Sequence, residues 1–388
     1  MKSAINIQYF DNAATTFPKP PSVVKEVKKC LEVYGGNAGR GAHRLSLSAA
    51  NKIYECRESL CQLLNLEEPE QIAFVPSCTF GLNLIIKGLL RQGDHVLISD
   101  MEHNAVWRPI EKLKKEGRIT YDIFPALSQR MQSDDNLLAE IEKRIIPNTR
   151  LLICTHQSNI CSFSLPIEKI GALCKKNHLI FAVDGAQSVG HYDIDVKKMN
   201  IDLLAAPSHK GLYGPMGSGF IAISKNIKLD TLIEGGKGIY SLESDMGEIS
   251  PERYEAGTLP LPAIAGLCEG IKVVKNVGVS YVSEHEKELF IRLKNGLKSM
   301  RELVVYAPEF SGSTLLFNID NVSSERVSSI LNENNICSRA GYHCTALAHR
   351  ALQTNDRGAV RISFGIYNTP RDVDKLISVI NNMVKGKI

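Results

Sequence analysis

Between about residues 70 and 225, short and nearly unbroken apolar runs alternate with longer stretches whose apolar residues recur every three or four positions. Residues 71–75, 95–99, 150–155 and 179–184 have the length and the Ile, Leu and Val content of strands buried on both faces. Leu82, Ile85, Ile86 and Leu89 mark the buried stripe of one intervening helix, and residues 166–176 predict another. Residues 203–206 and 219–223 extend the same sheet. Strands and helices in alternation predict a mostly parallel sheet with helices on both faces.

Past residue 260 the rhythm changes. A helical stretch over 262–300 carries Leu267, Ile271, Val274 and Leu289, and Gly278 breaks it into two helices. Strands at 303–306, 313–319 and 359–364 and helices at 323–333 and 370–384 predict a smaller α+β domain. The expected organisation is therefore an N-terminal strap over 1–20 packing with the small domain and a large α/β domain over 21–260. Linking helices and the small domain fill 261–388. No internal repeat or low-complexity segment interrupts this pattern.

Charge narrows the function classes. The 46 basic and 42 acidic residues are interspersed, so the net +4 forms no block of the kind that binds nucleic acid or a membrane surface. No apolar stretch approaches the ~18 residues of a membrane span. The start, Met1 to Asn6, has no apolar signal-peptide core. Ten scattered cysteines include no C-x-x-C pair, which disfavours zinc and a disulfide framework and makes the cytoplasm the expected compartment.

Two constellations carry chemistry. In Ser338-Arg339-Ala340-Gly341-Tyr342-His343-Cys344-Thr345 a basic residue, a glycine and a histidine precede a thiol. Cations lower a thiol pKa from about 8.5 and make the reactive thiolate more available. Upstream, Asp184 ends a strand in Val183-Asp184-Gly185-Ala186-Gln187. Lys210 follows another in Ser208-His209-Lys210-Gly211, at the start of a glycine-rich loop. Ligands of open α/β sheets sit beyond such carboxyl ends. A lone Asp-Gly is an ordinary turn and a lone lysine an ordinary surface charge. Together they suit pyridoxal phosphate (PLP), which needs a lysine to hold it and a carboxylate to keep its ring nitrogen protonated. The helix opening at Ser77-Cys78-Thr79 offers N–H groups and a hydroxyl to the phosphate.

Asp11-Asn12-Ala13-Ala14-Thr15-Thr16, Asp184-Gly185-Ala186-Gln187, Ser208-His209-Lys210, Glu255-Ala256-Gly257-Thr258 and Arg339-Ala340-Gly341-Tyr342-His343-Cys344 resemble the class V aminotransferase family. They are most similar to its cysteine desulfurases and selenocysteine lyases of the group II branch, in the family's order and over nearly the whole chain. The resemblance implies the type I fold of PLP-dependent transferases, with a seven-stranded, mostly parallel large domain. It implies removal of sulfur from L-cysteine, or selenium from L-selenocysteine, to give L-alanine, with Cys344 taking sulfur as a persulfide. Lys210 would hold PLP and shuttle a proton, Asp184 would pair with the ring nitrogen, and Gln187 would hydrogen-bond the phenolic oxygen. His103 would stack on the ring, and Cys78, Thr79, Ser208 and His209 would form the phosphate cup. Thr258 would complete that cup in the other subunit of a homodimer. Asn159, Asn12, Ala13 and Arg361 would meet the substrate. Arg361 lies in an apolar strand, where its charge calls for an anionic partner. A protein or small thiol would accept the sulfur.

Other class V lyases or transaminases, and an inactive scaffold, share parts of this pattern. The chain departs from relatives at Cys78-Thr79-Phe80, where Thr-Thr-Glu is common, and at Cys161-Ser162-Phe163, where Gly-Thr is usual. Leu259-Pro260 and a short 235–255 stretch are further departures.

Overall fold

The computed structural model describes residues 7–39, 41–236 and 242–386. Residues 1–6 of the expected strap and 237–241 of the short 235–255 stretch lie outside the described residues. In chain order the strands are β1 (Gln8–Tyr9), β2 (Ile72–Val75), β3 (Asp94–Ser99), β4 (Ile119–Phe124), β5 (Thr149–Thr155), β6 (Ile180–Asp184), β7 (Leu203–Pro207) and β8 (Gly219–Ile223). They continue with β9 (Leu303–Tyr306), β10 (Thr314–Ile319), β11 (Ile336–Cys337), β12 (Arg339–Gly341) and β13 (Ala359–Ser363). The helices are α1 (Pro21–Lys29), α2 (Arg44–Leu64), α3 (Cys78–Leu89), α4 (Asn104–Lys115), α5 (Ala126–Gln132) and α6 (Asp134–Glu142). After them come α7 (Ile167–Lys176), α8 (Leu261–Val277), α9 (Val279–Leu297), α10 (Ser324–Glu333), α11 (Ala346–Ala351) and α12 (Pro370–Val384).

The chain divides into two compact units. The larger holds residues 19–156 and 165–279, built on a seven-stranded sheet in the order β2-β8-β7-β6-β5-β3-β4. Only β8 runs against its neighbours. Every residue of β2, β7 and β8 is buried, which is why those segments are apolar without alternation. The carboxyl ends of β2, β3, β5, β6 and β7 therefore share one edge of the sheet. The strand β4, with its half-exposed ITYDIF pattern, is an edge strand that the apolar runs did not announce.

The smaller unit holds residues 7–18, 157–164 and 280–386 of the described chain. Its four-stranded antiparallel sheet has the order β12-β13-β10-β9, and β1 pairs in parallel with β11. Phe10, Phe290, Leu293, Phe317, Ile362 and Leu376 belong to its core. The described strap residues 7–18 lie in this unit, whereas Lys19 and Pro20 of the expected 1–20 strap fall in the larger one. Two further boundaries differ from expectation. The division falls after Val279, so α8 belongs to the large unit, and residues 157–164 leave the large unit's sequence to join the small one. Gly278, at φ 91°, ends α8 and lets α9 start at once. Ser162 accounts for the excursion: its hydroxyl donates to Thr314 O at 2.7 Å and accepts the Thr314 N–H at 3.1 Å. Phe163 packs edge-on against Phe310. The departures at 161–163 are anchors for this segment.

Candidate active site

The first cluster lies at the strand ends of the large unit. Asp184 closes β6 and is 3% exposed. Its Oδ1 accepts the Ala186 N–H at 2.9 Å, and the Cys78 thiol donates to the same oxygen at 3.7 Å. Burial raises the Asp184 pKa, against the opposing pull of the Ala186 N–H, the Lys210 charge and the thiol. Lys210 is half-buried just beyond β7, in a turn where Gly214 N–H donates to Ser208 O and Tyr213 N–H to Lys210 O, both at 2.8 Å. Gly211 lets this turn lie against the turn after β6, since a Cβ there would come within 2.4 Å of Val189 O.

Neighbouring residues set the charge of that turn. Lys19 Nζ donates to His209 O at 2.8 Å, and burial lowers its pKa to about 8. Burial, then the charges of Lys210 and Lys19, push His209 down to about 4, so its ring is neutral. Ser77 caps α3 by accepting the Phe80 N–H at 3.2 Å, and the exposed Thr79 stands in the positive first turn. His103 caps α4 through Nδ1, which accepts the Ala105 N–H at 3.0 Å and leaves a ring proton on Nε2. Beside it, buried Glu102 ties β3 to β5 by accepting from the Ser99 hydroxyl and from Thr155 N–H at 2.9 Å. Burial raises Glu102 to about 8, so this acid is mostly protonated at neutral pH. Gln187 is buried in the turn after β6.

The second cluster belongs to the small unit. Arg361 in β13 is 1% exposed. Its Nη2 donates to Asp11 Oδ1 at 2.6 Å and its Nη1 to Asn159 O at 2.9 Å, while Nε is buried with no hydrogen-bond partner. Arg339 stands opposite Arg361 in the β12–β13 register. Two like charges across a ladder are unfavourable unless an anion joins them. Asp11 supplies one anion, and Nε is a donor that Asp11 and Asn159 leave unused.

Beside this pair the chain makes a turn of unusual backbone. Gly341 has φ 95°, His343 φ 51° and Cys344 φ 58°. Left-handed conformation costs a non-glycine residue about 1–2 kcal/mol, so two in succession need support. Asn159 provides it: Nδ2 donates to His343 O at 2.8 Å, and Oδ1 accepts the Thr345 hydroxyl at 2.6 Å. His343 and Thr345 are buried, and Cys344 between them is exposed. His343 brings no cation to this turn. Burial, then the Arg361 charge, push His343 down to about 2, so its ring is neutral.

Other expectations also need correction. Ser208 is fully buried, and its hydroxyl is spent on the carbonyls of Pro215 and Ser218, so it holds the glycine loop instead of a phosphate. The Asn12 amide is consumed by Tyr9 O, Ser363 O, Asn368 Oδ1 and Phe17 N–H, and the Ala13 N–H by Ser363 Oγ. Both residues fasten the strap to β13 and leave no donor aimed at a substrate. Asn159 likewise braces the Cys344 turn. The Cys78 side chain faces Asp184, while its backbone belongs to the first turn of α3. Glu255 anchors its segment through Arg57 at 2.6 Å and Phe74 N–H at 2.7 Å, leaving Thr258 exposed. Glu55, Cys268 and Glu269 have ligand-type atoms within 4.8 Å of one another. Lys52 and Lys272 already bridge those carboxylates at 2.7–2.8 Å, which makes the group an ion-pair network. Sequence reasoning missed Asp11, Lys19, Glu102 and His349. Only Asp11 carried a signal, as the acid opening the Asp11-Asn12-Ala13-Ala14 motif.

Residues 8–376 match the family described as Aminotransferase class-V. The chain belongs to that family. It is 34% identical to a probable cysteine desulfurase of Pyrococcus abyssi, over 97% of this chain and 94% of the relative. A probable cysteine desulfurase of Methanothermobacter thermautotrophicus is 32% identical, over 95% and 92%. Among solved structures, the apo cysteine desulfurase of Thermococcus onnurineus NA1 superposes with a TM-score of 0.89 at 29% identity, covering 98% of this chain and 95% of that one. The type I transferase fold expected from the sequence is the fold found.

The residues of this class V chain fit the expected cofactor. A pyridinium would answer the buried Asp184 carboxylate, Lys210 offers an amine beyond the neighbouring strand, and the first turn of α3 offers donors to a phosphate.

Proposed function

We propose that the chain is a PLP-dependent cysteine desulfurase that converts L-cysteine to L-alanine and takes the sulfur on Cys344. The observation that carries this reading is the Cys344 turn. Of ten free cysteines, Cys344 is the exposed one, lifted on two left-handed residues in the unit that also holds a guanidinium with an idle donor. The naming of full-length relatives as cysteine desulfurases supports it.

When bound, PLP supplies an electron sink for the substrate Cα. Lys210 would hold the cofactor and move the Cα proton, and Asp184 would keep the ring nitrogen charged. The α3 N-terminus, Thr79 and neutral His209 would take the phosphate. His103 would cover the ring, and Gln187 would hold its phenolic oxygen. Arg361 Nε takes the substrate carboxylate. The Cys344 thiolate attacks the substrate sulfur, an S–S bond forms as the C–S bond breaks, and the C–S electron pair stays with the carbon skeleton. Proton uptake completes alanine, so cysteine and the enzyme thiol become alanine and an enzyme persulfide.

The protein is a homodimer in this reading. Exposed Thr258 and the exposed apolar residues Val24, Leu31, Val33, Leu45 and Leu47 of the large unit support that state. Free thiols throughout suit the cytoplasm, and among the described residues no helix is long and apolar enough to cross a membrane. Solvent access at Cys344 suits sulfur delivery to a protein or small-thiol acceptor. The test is a substrate panel with L-cysteine and L-selenocysteine, scored for alanine and for sulfide or selenide. Alanine from cysteine that disappears in Cys344→Ser is expected; alanine production unaffected by that change overturns the assignment.

A further inference from the structure

His343 does not end at its own turn. Its Nδ1 lies 3.3 Å from His349 Nε2 in α11, and His349 Nδ1 lies 2.6 Å from the Thr354 hydroxyl. On the other side, His343 Nε2 lies 3.2 Å from Arg339 O. The two rings are within 10° of parallel, and the Tyr342 ring meets His349 edge-on at 5.6 Å. His349 and Thr354 are fully buried and His343 nearly so.

The contacts to Arg339 O and Thr354 fit one arrangement of the protons, with the Tyr342 backbone as a further partner of the His349 ring. A carbonyl only accepts, so the bond to Arg339 O requires a proton on His343 Nε2. Burial keeps both rings neutral, with His343 at about 2 and His349 at about 4. The Nδ1 of His343 is then bare and accepts from His349 Nε2–H. That leaves His349 Nδ1 bare, and it accepts the Thr354 O–H. The Thr354 hydroxyl is also 3.3 Å from His349 O, but its single proton goes to the nearer nitrogen. Hydrogen bonds run one way from Thr354 through His349 and His343 to the carbonyl of Arg339.

We propose that His349 and Thr354 are positioning residues for Cys344, acting through His343 to hold the turn that carries the thiol. Asn159 grips the backbone of that turn at His343 O, and the relay grips the His343 side chain. An apolar residue at position 349 could fill the volume but could not orient the ring. The inference rests on Cys344 as sulfur acceptor for its kinetic consequence, but not for its spectroscopic one.

Two measurements on the PLP-loaded protein test it. Histidine ring ¹⁵N spectra near neutral pH are expected to give neutral Nε2–H imidazoles for both His343 and His349. A cationic ring or an Nδ1–H tautomer at either position overturns the relay. In the kinetic arm, a thiol misplaced by part of an ångström lowers rate, so His349→Leu and the isosteric Thr354→Val should each lose about 10–100-fold in kcat for alanine. The KM for cysteine and the cofactor absorption should hold. His349→Gln, which keeps an N–H toward His343, and Thr354→Ser should recover most of the loss. Full kcat in both His349→Leu and Thr354→Val overturns the proposal, and Thr354→Val decides alone if His349→Leu fails to fold. If the unmodified protein forms no alanine from cysteine, the desulfurase reading fails, while the ring spectra still decide the relay.

Discussion

Asp184 ends a strand buried from Phe181 onward and sits in the large unit's most regular structure, whereas Cys344 stands on two consecutive left-handed residues with its thiol in solvent. The first region holds a buried acid, and regular strands provide the stiffness for it. The second holds a reactive group where a partner can reach it, and the stiffness comes from side chains, Asn159 and Thr345 on the backbone and His349 on the His343 ring. The chemistry explains the difference. In the proposed reaction the cofactor would stay in place over many turnovers, whereas the sulfur would pass from Cys344 to an acceptor that has to reach it.

If the sheet-end cluster performs the proton chemistry, its variants should damage the chemical step most. Lys210→Ala should abolish the absorption band of the lysine-bound cofactor and lower alanine formation by about 10²–10⁴-fold or more, the usual worth of a positioned proton-transfer group. An unchanged spectrum would remove Lys210 from that role. Asp184→Asn should cost about 10²-fold, as the loss of one preorganised electrostatic partner does, and should weaken PLP retention on dialysis. Equal rate and retention would mean that the ring nitrogen is held elsewhere.

The small unit should answer differently. Arg361→Lys keeps a cation for Asp11 but loses the planar fork, so KM for cysteine should rise about tenfold, the value of a charge-assisted hydrogen bond, with little change in kcat. A fall in kcat at constant KM would reverse that division of labour. The smallest effect concerns stability alone. Burial raises Glu102 to about 8 from its ordinary 4.5. Its protonated form favours the fold fully below about pH 4.5, and that contribution is lost as pH rises through 8. Glu102→Gln should therefore flatten the decline in Tm across that window, and a parallel pH profile would assign the buried acid a different state.

The large unit was the more legible region because its physics is repetitive. Buried parallel strands need apolar runs at 72–75, 94–99 and 180–184, and the ligand edge follows from the strand direction. Asp184 and Lys210 were found as residues whose chemistry sits at that edge. What escaped was long-range pairing among ordinary polar residues. Nothing in Asn12 or Ser208 distinguishes an amide or hydroxyl spent on framework from one aimed at a ligand; the choice depends on Ser363, Asn368 and Ser218 being nearby. The neutral state of His343 depends on burial, which a loop of Arg, Gly and Tyr does not advertise. The excursion of 157–164 was hidden for the same reason, since Ser162 reveals its purpose only at Thr314.

In the proposed reaction Cys344 receives the substrate sulfur. After a brief turnover of the PLP-loaded protein with L-cysteine and quenching by alkylation, peptide mass spectrometry should find one added sulfur on the peptide containing Cys344 and none on those of the nine other cysteines. The added mass should vanish in Cys344→Ser, which should retain its cofactor spectrum. Added sulfur confined to another cysteine, or normal alanine production by the serine variant, would contradict the account.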